Sequence, residues 1–84
     1  MLISVWNLSP KMEEDNLRKI FEAFGQVRFA IISSAVFRDK YTGESRGFGF
    51  VEMPDWAEAR EALKALNGKQ DYGRQMIVYG SFEN

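Results

Sequence analysis

At 84 residues the chain is long enough for one small domain, and its 45% hydrophobic and 27% charged content is that of an ordinary folded globule. It has no cysteine and no histidine, which removes disulfides, thiolate nucleophiles, cysteine metal cages and the usual general base, so neither metal nor cofactor is expected. The net charge is −1, and the apolar runs fall far short of the ~20 residues of a membrane span, so no membrane partner is expected.

Residues 2–7 read as a first strand. The opening segment shows neither the basic leader nor the small-residue cleavage site of a signal peptide, so an intracellular compartment is expected: cytoplasmic, or nuclear in a eukaryote. Leu17, Ile20, Phe21 and Phe24 stand at i, i+3, i+4 and i+7, the stripe of a helix that stops at Gly25. Met12 offers no capping side chain there, but Glu13, Glu14 and Asp15 suit the positive end of the helix dipole.

Residues 28–37 read as a second strand, Tyr41-Thr42-Gly43-Glu44 as a turn, and 47–53 as a third strand. Ala59, Ala62, Leu63 and Leu66 repeat the helical spacing up to Asn67-Gly68, with Asp55 and Glu58 resembling a capping box. Trp56 is expected to pack over the end of that helix. Asp71-Tyr72-Gly73 reads as a turn before a fourth strand at 75–79. The expectation is one domain over 1–84, of α+β class: a ferredoxin-like sandwich, β-α-β-β-α-β, whose four-stranded antiparallel sheet carries two helices on one face. The other face is left uncovered, and function is sought there.

Strand alternation assigns side chains to that face. In the third strand Phe48, Phe50 and Glu52 share one parity, and Gly47, Gly49, Val51 and Met53 the other. An unpaired carboxylate is costly to bury, so Glu52 faces solvent and takes Phe48 and Phe50 with it, in the row that Arg46 begins. In the first strand Ile3 and Val5 point inward, leaving Ser4 and Trp6 outside. In the fourth, Met76 and Val78 point inward, leaving Gln75, Ile77 and Tyr79 outside.

Exposed aromatics are poor use of core material unless something stacks on them, so a binding surface is expected. A covering domain, a dimer interface or a parity slip at a bulge would explain the pattern as well. The charge is unevenly spread: residues 26–46 carry Arg28, Arg38, Lys40 and Arg46 against Asp39 and Glu44, while the first helix is acidic.

Arg46-Gly47-Phe48-Gly49-Phe50-Val51-Glu52-Met53 resembles the octapeptide of the RNA recognition motif, K/R-G-F/Y-G/A-F-V-x-F/Y, at every position but Met53. The resemblance extends over nearly the whole chain, through Asn7-Leu8, Phe24-Gly25, Thr42-Gly43 and Leu66-Asn67-Gly68, and looks most like short bacterial members. It implies a non-enzymatic, monomeric domain that binds single-stranded RNA. It also implies roles: Phe50 stacks a base, Phe48 packs against riboses, Arg46 meets a phosphate with Arg38 and Lys40 nearby, and the tail at 80–84, with Phe82, closes over the RNA.

Beyond Met53, two departures from the family matter. Ser4 stands where the first-strand hexapeptide usually has its stacking aromatic, and Trp6 lies on the same face two residues along, about 6.5 Å away. The segment from Val27 to Thr42 is longer than usual by about four residues, with the addition expected within residues 31–35, so Phe29 and Phe37 have no assigned face. The competing function is a protein-binding module of the same family that uses the sheet or the helices for a peptide or another domain. The acidity of the chain and the missing aromatic at Ser4 favour it; the intact Arg46, Phe48 and Phe50 oppose it. An enzyme is not expected, because histidine, cysteine and a phosphate-cradling glycine loop are all lacking.

Overall fold

Alternating apolar residues in β1 (Leu2–Leu8) bury Ile3, Val5 and Leu8, and this strand forms the middle of the fold. The computed structural model describes residues 1–33, 40–42 and 47–81 in full, and the backbone of 37–38 and 45–46. The further elements in chain order are α1 (Glu14–Glu22), β2 (Phe29–Ile32), β3 (Phe37–Arg38), β4 (Ser45–Glu52), α2 (Trp56–Leu66), β5 (Gln70–Asp71), β6 (Arg74–Gln75) and β7 (Ile77–Gly80). Four strands lie side by side in the order β2-β4-β1-β7 with every pair antiparallel, and β3 pairs with the start of β4. The ferredoxin-like sandwich expected from the element order is the fold observed.

Both helices cover one face. The core unites Ile3, Val5, Val51, Met53, Met76 and Val78 of the sheet side with Leu17 and Phe21 of α1 and Ala59, Ala62 and Leu66 of α2. Ile20, Phe24, Leu63 and Trp56 pack at its margin, Trp56 as expected. The helix α1 has Glu13 as N-cap residue with no side-chain cap bond, and Glu14 and Asp15 lie in its first turn. At α2, Asp55 Oδ1 accepts the Glu58 amide at 2.9 Å, half of the anticipated capping box.

Gly49 is the octapeptide position whose smallness the packing demands. A Cβ there would collide with the Ile31 carbonyl oxygen and come within 3.2 Å of Leu17 Cδ2. Glycine thus lets β4 and β2 run close together under α1.

Three details differ from the expected strands. The second strand is not one run from 28 to 37. Ile32 pairs with Gly49 and Phe37 pairs with Arg46, so five steps on this strand (37 − 32) match three on β4 (49 − 46), an excess of two residues. Ile31 and Ile32 pair regularly, which places the irregularity after them; Ser34 and Ala35 lie outside the described residues.

The first strand extends to Leu8 through a bulge. Trp6 pairs with Phe48 and Leu8 with Gly47, and Asn7 between them takes φ 61°, a left-handed conformation that asparagine tolerates. Its Nδ2 donates to the Gln75 carbonyl at 2.8 Å.

Third, Gln75 does not belong to the fourth sheet strand. It sits in β6, paired with Gln70 of β5 around a tight turn with Tyr72 at φ 50° and Gly73 at φ 78°. The Met76 amide donates to Lys69 O, and the sheet strand begins at Ile77.

The two outer edges of the sheet each meet a side chain. On β2 the Ile32 amide donates to Glu14 Oε2 at 2.7 Å, and on β7 the Val78 amide donates to Asn67 Oδ1 at 3.0 Å.

Candidate functional site

The face opposite the helices, uncovered among the described residues, is organised by register into cross-strand rows. In one, Ile31, Phe50, Ser4 and Tyr79 lie side by side from β2 to β7. In the next, Phe48, Trp6 and Ile77 are aligned. Beyond the first row lie Phe29, Glu52 and Leu2. Burial agrees with the parity argument: Gly49, Val51 and Met53 are buried, while Phe48, Phe50 and Glu52 are half-buried and open to the surface. Trp6 is 39% exposed, Ile77 39% and Tyr79 62%.

Phe29 and Ile31 join this face as well, at 39% and 46% exposure. Sequence reasoning left Phe29 without a face because the lengthened segment hid its parity. Its pairing with Glu52 resolves that, since directly paired residues of antiparallel strands share a face.

Ring geometry adds what alternation does not contain. Trp6 and Phe48 are cross-strand partners with centroids 4.8 Å apart and planes at 20°, a stacked pair. Phe48 and Phe50 meet edge to face, with centroids 5.6 Å apart at 90°. The relocated aromatic on β1 is thus locked against the octapeptide instead of standing apart from it. Ser4, half-buried, donates a long hydrogen bond of 3.5 Å from its hydroxyl to the Tyr79 carbonyl.

Lys40 is exposed in the turn after β3. In the β3–β4 pairing Arg38 lies opposite Ser45 and Arg46 opposite Phe37; the side chains of Arg38 and Arg46, and Phe82 of the tail, lie outside the described residues. Among the described residues there is no cluster of three or more metal-ligating side chains, and no helix is long and apolar enough to cross a membrane.

The profile of the RNA recognition motif matches residues 3–77, from β1 into β7. The chain belongs to the RNA recognition motif family. That is a family of recognition domains, not of enzymes, in keeping with the inventory of side chains. RbpA of Nostoc sp., named as an RNA-binding protein, is 40% identical over 78 residues, which are 93% of this chain and 72% of RbpA. The serine/arginine-rich SC35-like splicing factor SCL33 of Arabidopsis thaliana is 40% identical over 80 residues, 95% of this chain, but the chain spans only 26% of that longer protein. The crystal structure of RNA-binding protein PG1 superimposes with a TM-score of 0.76 at 39% identity, covering 100% of this chain and 96% of that one. Within the RNA recognition motif framework, the octapeptide occupies Arg46–Met53, and the departure at Ser4, with Trp6 two residues along β1, falls in the middle of the sheet.

Proposed function

We propose that the chain binds single-stranded RNA by stacking unpaired bases on the open face of its sheet. The observation that carries this is the pair of rows containing Phe50, Phe48, Trp6 and Tyr79 on an uncovered sheet of an RNA recognition motif domain. RNA-binding relatives that match over nearly all of the chain support it.

Phe50 takes a base on its ring, and Phe48 packs against sugars while held by Trp6. Tyr79 and Ile77 extend the surface across β7, and Glu52 accepts from base amino groups. Arg46, Arg38 and Lys40 meet phosphates at the β3–β4 end. Residues 1–84 act as one domain, monomeric and intracellular, needing no cofactor.

A second reading, a protein or peptide partner on the same face, is favoured by the aliphatic Leu2, Ile31 and Ile77, each at least 39% exposed among the aromatics. Titration with short fluorescent single-stranded and duplex RNAs separates the two. The RNA reading expects saturable binding to single strands and weaker binding to the duplex, whose bases are already stacked. No binding to any single strand would leave the protein partner as the function.

A further inference from the structure

The smallest side chain at the middle of the open face is Ser4. It sits on the inner strand β1 with Phe50 directly across on one side and Tyr79 on the other. Along β1, the same face presents Leu2 and Trp6, two residues away in either direction. All four neighbours are larger and reach the surface, while Ser4 is half-buried and still reached by solvent. Adjacent strands lie about 4.8 Å apart, so the Phe50 and Tyr79 backbones stand about 9.6 Å apart with only a hydroxymethyl group between them. Trp6 does not close this gap, because its ring lies against Phe48, its cross-strand partner. The result is a depression with apolar walls and a hydroxyl floor.

That hydroxyl is available to a ligand. Its bond to the Tyr79 carbonyl is 3.5 Å long, at the outer limit for a hydrogen bond. A serine hydroxyl also keeps two acceptor lone pairs beyond the proton it donates. A stacking ring accepts every base, since every base has a π face. A hydroxyl at the floor of a depression instead meets a base edge, and with its proton directed to the Tyr79 carbonyl it accepts from an edge that presents a donor and stays unpaired against one that presents only acceptors.

Resting on the RNA reading above, we propose that this depression receives the edge of one unpaired base and that Ser4 Oγ hydrogen-bonds it. Ser4 is then a specificity-determining residue. Phe50 supplies affinity for any base, and the position beside it supplies choice among bases.

The test compares short rA, rC, rG and rU oligonucleotides on the wild type and on Ser4→Ala, Ser4→Thr and Ser4→Phe, with a thermal melt of each protein. The wild type is expected to favour its best base over its worst by about 2- to 12-fold, the range of one net hydrogen bond. Ser4→Ala should bring that ratio close to one, chiefly by weakening binding of the favoured base. Ser4→Thr, which keeps the hydroxyl, should retain the ratio. Ser4→Phe fills the depression and should bind all four alike. A Ser4→Ala protein with the wild-type ratio overturns the proposal, and so does a wild type that binds RNA with no preference. A wild type that binds none of the four sinks the RNA reading itself.

Discussion

Replacing Phe50 by alanine tests the site and the parity that places it. The ring is half-buried and on the uncovered face, so its removal leaves no enclosed cavity. What the fold loses is the edge-to-face contact with Phe48, at a centroid separation of 5.6 Å, and some partial burial. An aromatic pair contributes about 0.5–1.5 kcal/mol beyond area, so a total cost of about 1–2 kcal/mol is expected. For a domain of this size that lowers Tm by about 4–16 °C. RNA should suffer more, because stacking one base is worth about 1–3 kcal/mol, a 5- to 150-fold loss of affinity.

The control is Phe21→Ala, where a fully buried ring of α1 leaves a void and should cost about 3–5 kcal/mol. Circular-dichroism melts and fluorescence-anisotropy titrations on the two variants and the wild type give both numbers. If Phe50→Ala is as destabilised as Phe21→Ala while its folded fraction binds RNA normally, the ring belongs to the core and the reasoning fails.

Three further outcomes are expected. Trp6→Ala removes the ring stacked on Phe48 and should lower both stability, by about 0.5–1.5 kcal/mol from the pair alone, and RNA affinity, whereas Trp6→Phe should largely preserve both; an unchanged melt for the alanine variant would contradict the stacked pair. Gly49→Ala drives a methyl group into the Ile31 carbonyl and Leu17, and urea denaturation should show a loss of about 1–3 kcal/mol. With two or three phosphate contacts from Arg46, Lys40 and Arg38, log Kd against log salt for a single strand should have a slope of magnitude about 1.5–2. A magnitude near 5 would mean a basic surface elsewhere.

Much of the site was legible because alternation is a strict geometric rule. The expense of burying Glu52 was enough to send Phe48 and Phe50 to the open face, and the buried Val51 and Met53 bear this out. Helical periodicity likewise located Leu17 and Phe21, and Ala59, Ala62 and Leu66, all of them in the core. What alternation does not encode is any change of register. The bulge at Asn7 and the two-residue excess between Ile32 and Phe37 depend on how two strands meet, which neither strand declares alone. The β5–β6 hairpin escaped for another reason: its paired residues, Gln70 with Gln75 and Asp71 with Arg74, are polar and lack the inward apolar row that marks a sheet strand. Ring stacking between Trp6 and Phe48 is a matter of side-chain torsion and lies beyond any periodicity.

The two amides bonded to Glu14 and Asn67 bear on how such molecules behave when crowded together. A sheet edge with unoccupied amides is a template onto which a second copy's strand can dock, and growth from such docking has no natural end. Here one amide on each outer edge is already occupied, at Ile32 by the carboxylate of Glu14 in the first turn of α1 and at Val78 by the amide oxygen of Asn67, the residue that caps the C-terminus of α2. An incoming strand would have to displace a side-chain acceptor at either edge, and on the β2 side it would also approach a carboxylate. Strand addition from a second copy is therefore resisted at these two positions, one on each outer edge of the sheet, whatever the open face is engaged with.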